Sequence, residues 1–211
     1  MTNQNKHYHH GDLAETLIQA TVLLLQEKGP AQLSLREVAR NAGVSHGAPA
    51  HHFVDKTGLL TAIAVQGQEI LASHLEQSQL GLSEPLERLK SAGEAYVRFA
   101  LSHPGHFSVM FQKELINSEL DSFVNASKGA RRVLEIAIED LAKSQQTSGS
   151  VSRRRIEATL AALWSQVHGF SLLWKAGNFG NPNDQKRLSK LLKDMLMGIS
   201  PQLDDSRQSK Q

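Results

Sequence analysis

Cysteine is absent from this 211-residue chain. No disulfide framework can staple it, and no thiolate can ligate a metal in it. That absence fits a reducing compartment, and the cytoplasm is the expected location. Long apolar runs are missing too. No stretch approaches the roughly eighteen consecutive apolar residues that a membrane-spanning helix needs, so no membrane partner is expected. The N-terminal MTNQNKHYHHGD lacks the apolar core of a secretory leader. Tyr8 interrupts its histidines and Gly11-Asp12 runs into a helical pattern, so the segment reads as native sequence. Charge of one sign is scarce: the net charge is +2, which points to no class of partner. There is no convincing strand pattern and no repeat of fixed period. No serine–histidine–acid arrangement or pair of carboxylates is readable, so neither an enzyme nor a cofactor is expected. What the chain does have is 40% hydrophobic residues, enough for a packed core.

Those residues fall at the helical period. Leu13, Leu17, Ala20, Thr21, Leu24 and Leu25 mark a helix buried along one face, with Asp12 as its expected N-cap and Gly29-Pro30 as its stop. Ser34-Leu35-Arg36-Glu37 spells a capping box, in which the serine caps a late N–H and the glutamate reaches back. Leu35, Val38, Ala39 and Ala42 supply the buried face of that short helix, and Gly43 ends it. Ser45 is the expected cap of a third helix reaching Phe53, and Asp55 of a fourth running to about residue 77 with Leu59, Leu60, Ile63, Ile70, Leu71 and Leu75 inside. GLSEP at 81–85 is a boundary. Beyond it the pattern predicts a helix with Leu86, Leu89, Gly93, Tyr96, Val97 and Ala100 on its stripe, stopping before His103, and a short helix over 107–115. A long helix from about Ser118 carries Leu120, Phe123, Val124, Ala130, Val133, Leu134, Ile138 and Leu141. A polar loop follows at 144–152, then helices over 153–175 and 183–199. The expected fold is all-α: a helix-turn-helix domain at 1–57 with a linking helix to about 77, an antiparallel helical bundle at 82–199, and a disordered tail at 200–211.

GVSHGAPAHHF, 43–53, has three histidines in seven residues and almost no charge. It does not read as a metal site. On a helix His46 and His51 point about 140° apart, His51 and His52 about 100° apart, with no acidic residue between. It does read as the entry to a recognition helix, whose first turn must approach base edges closely. Ser45, His46, Gly47 and Ala48 are small or short and polar, and Pro49 offers an apolar face for a thymine methyl. Ser34 and Ser45, at helix N-termini, can present hydroxyls and backbone N–H groups to phosphates, and Arg36 and Lys56 can add cations. If Ser45 is the cap, Pro49 falls past the first helical position, so this helix begins late or bends at its entry. His52 and Phe53 are expected to pack and cap rather than read sequence, and His7, His9 and His10 to form an arm.

Residues 33–64, LSLREVARNAGVSHGAPAHHFVDKTGLLTAIA, resemble the DNA-binding domain of the TetR/AcrR family of transcriptional regulators. The Ser-Leu-Arg-Glu-Val-Ala helix, the Ala-Gly-Val-Ser turn and His-Phe three residues before Lys56 carry the match, which extends over 8–77. ALWSQVHGFSLLWKAG, 162–177, resembles the C-terminal domain of a TetR subgroup named for a Trp-His-Gly motif, through Trp164 and His168-Gly169; Tyr8 to Leu13 is similar to the same subgroup. One position departs. The family commonly has a tyrosine, whose hydroxyl contacts phosphate, where this chain has Ala50, and His51 is the neighbour able to compensate.

The resemblance implies a homodimeric regulator on double-stranded, palindromic operator DNA, with the last two helices of each copy forming a four-helix interface. Leu160, Leu163, Val167 and Phe170 are expected in the core, with Trp164, His168 and Ser171 on a second side of the same helix, and Leu188, Leu191, Leu192, Met195 and Leu196 making the last helix two-sided. A small-molecule effector would bind inside the bundle, where Phe107, Met110, Phe111, Trp164 and His168 are candidates. Charge adds a tension. Residues 1–60 hold five Lys or Arg and five Asp or Glu, a net of zero, so attraction to DNA must come from placement, helix N-termini and protonated histidines. Non-specific binding that strengthens below about pH 6.5 is therefore expected. Two other readings stay open: a ligand-binding or scaffold bundle whose helix-turn-helix no longer engages DNA, motivated by Ala50 and the neutral charge, and an enzyme, which no motif supports.

Overall fold

A computed structural model describes residues 10–145 and 151–198. His7, His9, the tail at 200–211 and most of the 144–152 loop lie outside the described residues. Among the described residues there are nine helices and no strand: α1 (His10–Lys28), α2 (Leu35–Asn41), α3 (Ala48–Phe53), α4 (Lys56–Ser78), α5 (Pro85–Ser102), α6 (Pro104–Phe107), α7 (Asp121–Ser144), α8 (Arg153–Lys175) and α9 (Gln185–Met197). The chain forms two compact units, one of Met1–Gln68 with His103–Ala126, the other of Glu69–Ser102 with Ser127–Gln211.

In the first unit α1 packs on α2 and α6, and α2 on α3. The stripe expected for α1 is inside: Leu17, Thr21, Leu24 and Leu25 are buried. The helix begins at His10, so Asp12 lies within its first turn rather than at its N-cap. Leu59, Leu60, Ile63 and Ala64 of α4 complete this core. The short helix expected over 107–115 is displaced and cut to Pro104–Phe107. Side chains take over its carbonyls: the Ser108 hydroxyl donates to Gly105 O at 2.7 Å and the Gln112 amide to Ser108 O at 2.8 Å. The chain then proceeds by turns, yet still buries Val109, Met110 and Ile116. Asn117 N–H donates to Thr61 Oγ1 at 2.9 Å and pins this segment to α4. Segment 103–126 thus belongs with the N-terminal helices rather than with the bundle that follows it in sequence.

In the second unit α5 packs on α8 and α9. Leu89, Ala137, Ile138, Leu141, Ala142 and Leu160 form one core cluster. Arg88 and Asp140 join α5 to α7 at 2.9 Å. Towards the end of α8, Phe170 stacks on Trp174 and on Phe179, and the Trp174 indole N–H donates to Pro182 O at 3.0 Å. Three expectations need correction. α7 starts at Asp121, so Leu120 lies just outside it and is exposed; its carbonyl accepts the Val124 N–H. Ser171 is buried with the α8 core, where its hydroxyl bonds the Val167 carbonyl at 2.7 Å. α9 starts at Gln185 and is one-sided: Leu188, Leu192 and Leu196 are buried, Leu191 and Met195 half-buried beside them, while Lys186, Lys190 and Lys193 are exposed. At 100° per residue all five apolar positions fall within one arc, which leaves the lysines the opposite side.

Candidate nucleic-acid interface

The geometry starts at Ser34. Its hydroxyl accepts the Glu37 N–H at 3.4 Å and caps α2, as its position in a capping box requires. Leu33 and Val38, on either side of the cap, are both buried, the arrangement of a hydrophobic staple. The glutamate does not reach back. Its carboxylate is held by the Lys28 ammonium and lies 3.5 Å from Arg40, and the Lys28 hydrogen bond holds its pKa below the usual carboxylate range. α1 is thereby tied to α2 at a place where the sequence suggested only a local cap. At the other end of α2, Gly43 N–H bonds Arg40 O and Val44 N–H bonds Ala39 O, with Gly43 at φ 66°. This is a Schellman stop, and the left-handed residue at its centre is why glycine stands there.

After that stop, Ser45, His46 and Gly47 form an exposed turn. Ser45 is not the cap of α3. The N-cap is Gly47, with no side-chain bond. The reason is Pro49, which has no N–H to give. Were Ser45 the cap, Pro49 would stand where the first full helical bond is donated; with the helix begun at Ala48, it occupies the first turn, where no donor is needed. The shift also turns Pro49 inward. It is buried and offers no face to a base, while Ala50 and His51 are exposed and Ala48 is half-buried. His52 and Phe53 are half-buried, their rings 6.2 Å apart. Ser34, Arg36, Ser45, His46, Gly47 and His51 thus share exposure on consecutive elements. The Lys56 ammonium donates to Pro30 O at 2.8 Å, tying the start of α4 to the loop after α1.

The corner between α3 and α4 was not legible in the sequence. Val54 has φ 67° and ψ −58°, and Asp55 N–H bonds Phe53 O at 2.7 Å across it. That is a γ-turn of the rare, strained hand, centred on a β-branched residue. Asp55 caps α4 as expected, its carboxylate accepting the Gly58 N–H at 2.8 Å. A Cβ on residue 58 would stand 2.0 Å from the Phe53 carbonyl oxygen, so only glycine permits this approach. Nothing in the residue types forewarns of Val54, because local propensity argues against it.

The five effector candidates are divided between the units. Phe107, Met110 and Phe111 belong to the first, with the two phenyl rings edge to face at 5.5 Å and Met110 buried. Beside them is a residue the sequence did not single out, His106. It is buried, its Nε2 is 2.9 Å from Gln66 Oε1, and its Nδ1 has no partner. A glutamine oxygen only accepts, so the proton is on Nε2. Burial foremost, then the nearby His103, pushes its pKa down to about 4, against a smaller opposing pull from Glu15. Trp164 and His168 belong to the second unit and meet on Tyr96. The indole N–H donates to Tyr96 Oη at 3.0 Å, leaving the phenol proton for His168 Nδ1 at 2.7 Å. Burial lowers the His168 pKa and raises that of Tyr96, so both stay neutral. No group of three metal-ligating side chains occurs among the described residues, and no helix there is long and apolar enough to cross a membrane.

Comparison with known proteins bears on both units. Residues 17–63 match the family model described as bacterial regulatory proteins, tetR family, and residues 89–196 match the tetracyclin repressor-like C-terminal domain. An HTH-type transcriptional regulator, BetI, from Yersinia pestis is 34% identical over 86 residues, covering 38% of this chain and 41% of the relative. The chain therefore matches less than half the length of such curated relatives. Among solved structures, a protein of unknown function from Rhodococcus sp. RHA1 superposes with a TM-score of 0.71 at 26% identity, covering 93% of this chain and all of that one. The fatty acid degradation regulator FadR from Bacillus halodurans has the same TM-score at 16% identity, covering 92% and 100%, a likeness of fold.

Proposed function

From the premise that this chain belongs to the TetR family of bacterial regulatory proteins, whose C-terminal model alone matches just over half of it, we propose that it represses transcription from a palindromic operator and is released by a small-molecule effector. The observation that carries the reading is the exposed Ser45-His46-Gly47 turn, fixed between the Schellman stop at Gly43 and the late start of α3. Short side chains there suit close approach to base edges in the major groove. Ser34, Arg36 and His51 supply flanking polar or cationic contacts to phosphate, with His51 standing in for the tyrosine hydroxyl absent at Ala50. Lys56 can still add a cation beside them, whereas Pro49, buried, is not needed as a contact.

The protein acts in the cytoplasm as a homodimer, joined through the outer side of α8. That side exposes Ala161, Ala162, Leu172 and Leu173, whereas the outer side of α9 carries lysines that would oppose their symmetry mates. Two recognition helices must then stand about 34–36 Å apart, one turn of DNA. The Trp164, His168 and Gly169 pattern, with Trp164 and His168 both bonded to Tyr96, favours the Trp-His-Gly subgroup. An effector that binds the released conformer about a hundredfold better supplies about 2.7 kcal/mol of coupling.

Selection of genomic fragments by the wild-type protein and by Ser45→Ala/His46→Ala, at about 0.15 M salt where long-range steering is screened, tests this. The wild type should enrich a palindrome that the variant loses. A folded wild-type protein that enriches nothing would show a helix-turn-helix that no longer reads DNA.

A further inference from the structure

Val54 stands where the fold has no use for a valine. Its backbone is left-handed, at φ 67°, in a region that branched side chains avoid and glycine enters freely. Its side chain is 81% exposed, so no burial offsets the strain. It is the large exposed hydrophobic of the turn, α3 and the α3–α4 corner. It also extends one surface. Gly47, Ala50 and His51 are exposed at three- and four-residue steps along α3, with Pro49 buried; the Val54 N–H still bonds Ala50 O at 3.0 Å, so its backbone follows directly on α3 while its φ of 67° turns the side chain out of the helical path. Strain kept at a position that packs on nothing points outward, to a partner.

We infer that Val54 is a specificity-determining residue of the DNA interface, its isopropyl group touching a thymine C5-methyl in each operator half-site. The inference rests on the proposed operator binding. A thymine methyl is the apolar feature of a base edge in the major groove. Ala50 offers a single methyl where Val54 offers a branched pair, and Pro49, the residue whose type suggested the contact, is buried. Val54 therefore takes over the contact that the sequence assigned to Pro49.

The test uses the full-length protein and the operator selected by the wild type, with each thymine replaced in turn by deoxyuridine, which removes only the methyl. At one position per half-site the wild type should bind about fourfold more weakly, the worth of one buried methyl-sized contact. Val54→Gly should bind the unmodified operator about fourfold more weakly, be indifferent to that replacement, and melt no earlier than the wild type because the strain is gone. Val54→Thr keeps the branched shape and the strain but exchanges a methyl for a hydroxyl, and should weaken at the same position. Wild-type binding that is indifferent to every replacement, or Val54→Gly binding that matches the wild type, overturns the inference while leaving the regulator intact. A wild-type protein that selects no operator sinks both, and is told apart by that first step.

Discussion

His106 shows what a single side chain can be asked to do. Its ring joins α6 to Gln66 of α4, whose amide in turn lies 3.4 Å from Glu15 of α1. Protonation would place a charge where Nδ1 has no acceptor to meet it. The folded pKa, about 4, lies below the ordinary histidine value of 6.5. The unfolded chain therefore binds the proton first on acidification, and stability falls as pH falls. The contribution is complete above about pH 6.5 and is lost between there and about pH 4, amounting to about 3 kcal/mol at the acid end. Melting temperature measured across that window should drop in the wild type and drop distinctly less in His106→Gln. Equal slopes would mean that other groups carry the acid sensitivity. The sequence displays a histidine in His-Pro-Gly-His-Phe and nothing about its burial, which arises only because 103–126 folds back onto the first helices.

Elements are where local chemistry is most readable. Ser34, Gly43 and Asp55 end or begin helices as their types demand, and the stripes of α1, α4 and α5 are inside. Reading failed where one element's needs were met by another. Glu37 bonds Lys28 of α1 instead of its own cap, and Lys56 bonds Pro30, whereas the late start of α3 was already signalled by Pro49. The Schellman stop allows a direct check. Gly43→Ala forces an L side chain to φ 66° without any clash of its Cβ, so the cost is conformational alone, about 1–2 kcal/mol. Melting should fall by about 2–4 °C per kcal/mol. Operator binding should weaken further than this loss of stability explains, since the same turn sets the Ser45–Gly47 approach. A Gly43→Ala protein with wild-type melting would show that the α2–α3 turn relaxes into another form.

For the whole molecule, the proposed homodimer turns on how two copies would join. α8 exposes Leu172 and Leu173, 49% and 45% accessible, on the side away from its core. Replacing both by glutamate should leave the fold intact, because neither is buried, yet give a monomer in analytical ultracentrifugation. Operator affinity should fall at least about a hundredfold as the second half-site contact is lost. A double variant that stays dimeric would move the interface off α8.

The residue pattern by itself determined that this is an all-helical chain with a helix-turn-helix near its start, because periodicity, caps and glycine stops act within a few residues of one another. It also carried the family resemblance. Only tertiary structure decided that Pro49 faces inward, that Lys28 rather than a cap holds Glu37, that His106 is buried, and that Val54 keeps a strained, exposed corner. Each of these depends on a partner distant in sequence or on backbone held by its surroundings, and local propensity has no term for either.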